Sequence, residues 1–198
     1  MAATQPPIGG CDFPTDPDIA APNAPVFWRP DFAPAVVNLV AMVSDLGLQA
    51  ASITEHVAER RTDEHGKSWA LLPDGTVLVA TSDAVDARSV GVLIPLDDHW
   101  PVRVAAAERL RRQVIERTAD PPITPQRRER LKRALRCIDG RRDGATYRAI
   151  ATAFFGARRV AEEPWKTSSL KAQIARLAAY GRTLVVRGHE DLLRGKLK

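Results

Sequence analysis

The periodicity of the chain changes at Pro101, and that change constrains the fold more than any other feature. Before it, apolar residues come in short runs broken by proline and glycine. After it, they recur at helical spacing among arginine and glutamate. Strands gathered in one half and helices in the other give an α+β class: a small antiparallel β meander followed by a C-terminal tri-helical domain. The strand signals are uneven. Between Val26 and Val43 the apolar run is interrupted by Pro30 and Pro34, which suits one or two short strands better than a helix. The clearest is residues 69–81, where Pro73-Asp74-Gly75 forms a turn between two apolar runs, and residues 89–96 supply the next strand. Residues 1–26 carry Pro6, Pro7, Pro14, Pro17, Pro22 and Pro25 among small and acidic side chains, and read as an extended arm or linker. His65-Gly66 reads as a turn and His99-Trp100 as a strand end.

Charge divides the chain at the same place. Residues 1–100 hold five Lys/Arg against fourteen Asp/Glu, a net −9, whereas residues 101–198 hold 24 against ten, a net +14. A surface that neutralises phosphates needs such an excess, because release of condensed counterions drives sequence-independent binding to nucleic acid. Arg-rich helices can also be merely solvated, so the placement of the cations has to decide. The expected units are the arm at 1–26, an acidic β-rich unit at 27–120 ending in a helix with Val104, Leu110, Val114 and Ile115, and a basic domain at 121–198. Asp120-Pro121-Pro122 is the linker into the last unit.

Within the basic domain, Thr124-Pro125 is a helix start: the hydroxyl can cap, and proline at the first position gives up no useful donor. Leu131, Leu135 and Ile138 mark its apolar face, Arg127, Arg128, Arg130, Lys132, Arg133 and Arg136 its polar one, and Asp139-Gly140 its end. A second helix buries Tyr147, Ile150, Ala151 and Phe154 and stops at Gly156. About ten residues later a third opens at Thr167, Ser168 or Ser169, with Leu170, Ile174, Leu177 and Ala178 facing the core and Gly181 ending it. Two short helices, then a third with capping hydroxyls and long basic or amide side chains, form the pattern of a helix-turn-helix, in which one helix enters the major groove. The ten-residue connection is longer than the usual three or four.

Denser motifs run through this region: RLKRALRCIDGRRDGATYRAIATAFFG, then VAEEPWKTSSLKAQIARLAAYGRTLVVRGHEDLLRG. Arg133, Ala134, Leu135, Asp139, Gly140, Gly144, Ala145, Tyr147, Arg148, Ile150, Ala151, Phe155, Gly156, Trp165, Arg176, Leu177, Gly181, Leu192, Leu193 and Arg194 resemble the pattern of the bacterial family known as domain of unknown function 2285 (DUF2285), common on integrative and conjugative elements of proteobacteria. The resemblance implies an extended-turn helix-turn-helix and a regulator of excision and conjugative transfer genes. It also implies an alternative role, since some members are antiactivators that imitate the activator without binding DNA. Longer members carry a preceding helical domain rich in Trp, Tyr and Arg. This chain looks like the second half of such an activator, with the helical partner domain supplied by a separate or frameshift-joined upstream product.

The expected DNA contacts are Arg158, Arg159, Lys166, Thr167, Ser168, Ser169, Lys171, Gln173 and Arg176, with Arg182 and Arg187 adding phosphate contacts. Trp165, just before the third helix, is read as a core plug and not a base-stacking group. Glu162 and Glu163 are adjacent, so they do not face each other on a helix; they are read as favouring a nearby helix N-terminus. Cys11 and Cys137 are isolated, His56, His65, His99 and His189 show no ligand spacing, and no glycine-rich phosphate loop follows a strand. No cofactor, metal or catalytic group is therefore expected. No apolar stretch approaches membrane-spanning length and no secretory signal opens the chain, which points to the cytoplasm and the nucleoid within it. The expected function is transcription regulation through double-stranded DNA.

Overall fold

A computed structural model of the chain describes residues 11–196 except 12, 15, 21–22, 43–50, 81–82, 86–88 and 119–122. The first ten residues of the expected arm and the Asp120-Pro121-Pro122 linker lie outside the described residues. Two compact units result: one formed by the described residues up to 118 together with 193–196, the other by residues 123–192.

The first unit is built on a five-stranded mixed sheet of β1 (Val37–Ala41), β2 (Glu59–Thr62), β3 (Ser68–Leu71), β4 (Val77–Ala80) and β5 (Val90–Leu93), in the order β2-β3-β4-β1-β5. The hairpin between β3 and β4 turns where the sequence places it. Gly75 takes a φ of 89°, and Asp74 Oδ1 accepts a hydrogen bond from the Thr76 amide at 2.9 Å. Before it, Asp63 holds the β2–β3 turn by accepting from the amides of His65 and Lys67 and from the Trp69 indole at 3.0 Å. Strand β2, Glu-Arg-Arg-Thr, carries no apolar pattern, and only its backbone pairing with β3 reveals it.

The antiparallel meander is real for β2–β3–β4, but β5 does not continue it. β1 is inserted between them, parallel to β4 and antiparallel to β5. The cause lies in β4, whose four residues Val77, Leu78, Val79 and Ala80 are all buried. A strand buried on both faces is stable only as an interior strand with a neighbour on each side. Both faces of the sheet are accordingly covered. Leu78 and Ala80 join Val37, Leu39 and Ala70 in a core with Ala106 and Leu110 of α1 (Trp100–Arg111). Val77, Val79 and Trp69 join Phe27, Ala33 and Val36 in another. Residues of the proline-rich segment complete that second layer: Cys11 bridges to Trp28, and the Phe13 ring meets Phe27 at 5.3 Å and Trp69 at 5.9 Å, edge to face. His99-Trp100 is not a strand end. Trp100-Pro101 opens α1, helped by Asp97, whose carboxylate takes the Arg103 guanidinium at 2.8 Å.

The second unit consists of α2 (Pro125–Arg142), α3 (Tyr147–Phe155), α4 (Ala157–Ala161) and α5 (Ser169–Thr183). A π-helical turn, Leu184–Gly188, then leads into α6 (His189–Leu193). Thr124 Oγ1 accepts from the Arg127 amide and Thr146 Oγ1 from the Ala149 amide, so α2 and α3 both start on a hydroxyl cap. Three sequence expectations are corrected here. Gly140 does not end α2; the helix runs on to Arg142, and Gly144, with a φ of 84°, makes the turn. Gly181 does not end α5 either, for it is buried inside the helix. Leu135 lies 43% exposed, whereas Ala134 and Cys137 face inward.

The second and third corrections share one physical reason: α2 and α5 cross too closely for side chains of ordinary size. A Cβ at Gly181 would lie 2.5 Å from the Ala134 carbonyl oxygen and 2.5 Å from Ile138 Cγ1. The Cys137 thiol sits at the same crossing, donating to the Ile174 carbonyl at 3.7 Å, and burial pushes its pKa up. The glycine that sequence reading takes as punctuation is a contact surface.

Candidate nucleic-acid interface

Gly156, with a φ of 86°, ends α3 and at once starts α4, so the long connection to α5 contains a helical turn of its own. Val160 of α4 is buried in the core with Ile150, Ala151, Leu170 and Ile174, and Trp165 packs against that core half-buried, as expected of a plug. From Pro164 the chain folds back on itself: the Thr167 amide and hydroxyl both donate to the Pro164 carbonyl, and the Ser168 amide to that of Trp165. Ser168 Oγ then caps α5 by accepting from the Leu170 amide at 3.1 Å, and Glu163 Oε2 accepts from the Ser169 amide at 3.2 Å. Extra residues in the turn thus fix where α5 begins and which way its first turn faces.

The expected contacts do not all share one surface. Ser168 is buried, 5% exposed, with its hydroxyl committed to the cap, which withdraws it from any ligand. Lys166, Thr167, Ser169, Lys171, Gln173 and Arg176 are exposed around the first half of α5. Lys171 Nζ reaches back and donates to the Lys166 backbone carbonyl at 3.4 Å, which ties the side chain to the turn before α5. Arg158 and Arg159 are exposed on α4, with Arg159 paired to Glu162 at 3.1 Å. Arg182 is exposed in the last turn of α5, and Arg187 beyond it in the π-helical turn.

At about 100° per residue, the buried positions Leu170, Ile174, Ala178 and Gly181 mark one side of α5. The opposite side carries Ser169, Ala172, Arg176, Ala179 and Thr183. Lys171 and Gln173 fall on opposite flanks. The most outward face of the helix is therefore one arginine among short side chains, a shape that lets a helix approach the floor of a groove while the flanks meet its walls. Ala172, Ala179 and Thr183 escaped the sequence reading, which looked for long polar groups; their spacing of −4, +3 and +7 from Arg176 was the available signal.

Electrostatics favour anions here. Residues 166–176 hold three cations and no acid, and residues 123–192 hold sixteen Lys/Arg against seven Asp/Glu, a net +9. Among the described residues no group of three or more His, Cys, Asp or Glu is placed to hold a metal. No helix is long and apolar enough to cross a membrane.

A basic helical unit whose third core helix turns one arginine and a row of small residues outward, after an extended and internally braced turn, has the shape and charge expected of a DNA-binding domain of a transcription regulator. The sequence comparison agrees with that class. The chain belongs to the RovC DNA-binding domain family, described as T6SS, Transcription factor, DNA binding domain, which matches residues 93–194. The match takes in α1 as well as the whole of residues 123–192. No curated protein matches the chain.

Proposed function

We propose that the chain activates transcription by laying α5 in the major groove of promoter DNA, with Arg176 as the central base-reading side chain. Lys171 and Gln173 meet the groove walls, and Lys166, Thr167, Arg158 and Arg159 hold phosphates of the flanking backbone, with Arg182 and Arg187 on phosphates further along. It acts by binding and not by catalysis, in the cytoplasm among nucleoid DNA. The observation that carries this reading is the sign of the surface from Lys166 to Arg176: three cations with no acid. An antiactivator that only occupies a protein partner has no use for such a surface.

The family description ties its domain to T6SS, whereas the motifs around Asp139-Gly140 and Trp165 resemble regulators on integrative and conjugative elements. The promoters to test are therefore those of secretion and of excision or transfer operons near the gene. A separate helical protein encoded upstream is the protein partner to test. The test is fluorescence anisotropy of promoter fragments against scrambled duplex at several salt concentrations, with and without that upstream protein. Preference for one promoter by at least about a thousandfold, the lower range for specific regulators, supports the reading. Equal affinity for all duplexes refutes it.

A further inference from the structure

Helix α2 carries its own cations, and their contacts sort them. Arg133 pairs with Glu129 at 3.0 Å, Arg130 lies over the Tyr180 ring at 4.9 Å, and Arg141 lies over the Tyr147 ring at 4.9 Å. Arg127 is engaged as well. Arg128, Lys132 and Arg136 have no acidic partner among the described residues, and all three are exposed. They stand at i, i+4 and i+8, which makes one stripe about 12 Å long at 1.5 Å per residue. Like charges four apart on a helix repel. A single acid, Asp139, ends the stripe.

The direction of that stripe follows from the packing. Ala134 and Cys137 turn α2 toward Gly181 and Ile174 of α5, and Arg128, Lys132 and Arg136 lie about half a turn away from them. On α5, Arg176 likewise lies about half a turn away from Ile174 and Gly181. Two helices that touch along their inner faces point their outer faces apart, so the α2 stripe is directed away from the surface that carries Arg176.

We propose that Arg128, Lys132 and Arg136 form a second DNA surface, which grips the phosphate backbone of a separate duplex segment while α5 reads the first. This rests on the reading of α5 as the promoter-binding helix. The occupant follows from charge complementarity: an unbroken row of fixed cations fits a row of phosphates in any sequence. It follows also from supply, because a protein already bound to a promoter holds further segments of the same molecule at high effective concentration.

The experiment uses the full chain and the triple variant Arg128→Ala, Lys132→Ala, Arg136→Ala, whose changes sit at exposed helical positions where alanine is the best helix former. Promoter duplex is fixed to beads, protein is bound, and capture of a second, fluorescent duplex of unrelated sequence is measured. The wild type should capture it and the triple variant should lose capture at least tenfold, with promoter affinity within about twofold and an unchanged circular dichroism spectrum. The variant Arg128→Lys, Arg136→Lys should restore capture, since point charges suffice for phosphates. Promoter binding without capture by the wild type, or capture that persists in the triple variant, overturns the proposal.

The two readings also separate on a variant silenced in α5, Lys171→Ala with Arg176→Ala. It should keep weak binding of unrelated duplex, and adding the triple substitution should lower its log–log salt slope by about 2 to 3, at roughly 0.9 per phosphate. An unchanged slope overturns the second surface whether or not the promoter is read by α5.

Discussion

Replacing Gly181 by alanine tests the close crossing of α2 and α5 on which the geometry of the interface depends. The added Cβ would lie 2.5 Å from the Ala134 carbonyl oxygen, a backbone atom, and 2.5 Å from Ile138 Cγ1, where ordinary contact begins at 3.4 Å. The helices must therefore part by up to about 1 Å, and overpacking of this kind costs about 1 to 3 kcal/mol. The obstructing atom belongs to backbone and cannot change rotamer, so the upper end applies, about 3 kcal/mol. Alanine in place of glycine within a helix returns about 1 kcal/mol. The net is about 2 kcal/mol of destabilisation, which for 70 residues lowers the melting temperature by roughly 8 to 16 °C. Calorimetry gives the shift, and hydrogen exchange of the α2 and α5 amides localises it. Gly140→Ala is the control: its Cβ would meet Ile150 Cγ1 at 3.4 Å, so it should be neutral or stabilising by up to about 1 kcal/mol. If Gly181→Ala melts at or above the wild type, the helices do not cross as closely as described, and the orientation of α5 derived from that crossing fails with it.

Arg176→Ala should weaken binding to a cognate promoter by about 1 to 3 kcal/mol, the worth of a base-edge contact, and leave unrelated duplex nearly unaffected; Lys171→Ala should instead weaken both and reduce the salt slope by about 1, as anisotropy titrations will show. The buried Cys137 thiol should resist a thiol reagent in the native protein far longer than the half-buried Cys11, and Gly181→Ala should remove that protection. Because burial raises the Cys137 pKa in the folded state, its contribution to stability is complete below the ordinary thiol value and is lost as pH rises above it, so urea midpoints should fall on the alkaline side and Cys137→Ala should flatten the fall. For Asp63 the sign reverses. Burial would raise its pKa, but hydrogen bonds from the Trp69 indole and the amides of Lys67 and His65 outweigh it and hold the carboxyl below its usual value. Its contribution is therefore present above the ordinary carboxylate pKa and lost as pH falls, and acid titration of tryptophan emission should show a transition that Asp63→Asn lacks.

The passage from strands to helices was legible because periodicity and charge changed at the same place, near Pro101, although α1 belongs to the first unit and the second begins only at residue 123. The start of α2 was legible as well, and that of α5 to within a residue, since Thr124 and Ser168 announce themselves by chemistry that acts within three residues, whereas the start of α1 at Trp100 was not. Signals that depend on distant partners were not. Gly181 looks like a terminator because a glycine's local meaning is conformational freedom, while its role here is to admit another helix. Leu135 looks like core because of its type, yet it is Ala134, Cys137 and Ile138 that lie at the crossing. β2 has no apolar alternation, and the insertion of β1 beside β4 is a matter of pairing that no local pattern encodes. At the interface, long polar side chains were easy to nominate; that Ser168 faces inward, and that Lys171 and Gln173 fall on opposite flanks of α5, required knowing which way the helix is rolled.

The insertion of β1 between β4 and β5 also sets a timetable for synthesis. Val37 lies opposite Leu78, and Asn38 opposite Leu93, pairings that are 41 and 55 positions apart. A strand waiting for partners so far along the chain has both hydrogen-bonding edges open until they emerge from the ribosome. Closing such loops is slow compared with forming helices whose partners are near. The hairpin of β3 and β4 can form alone, but the sheet cannot close before residue 93 is available. Nascent chains that stall earlier therefore expose Val37, Leu39 and the open edges of β1 and β4 together, which makes the first half of the protein, and not its arginine-rich second half, the part that most needs protection from aggregation.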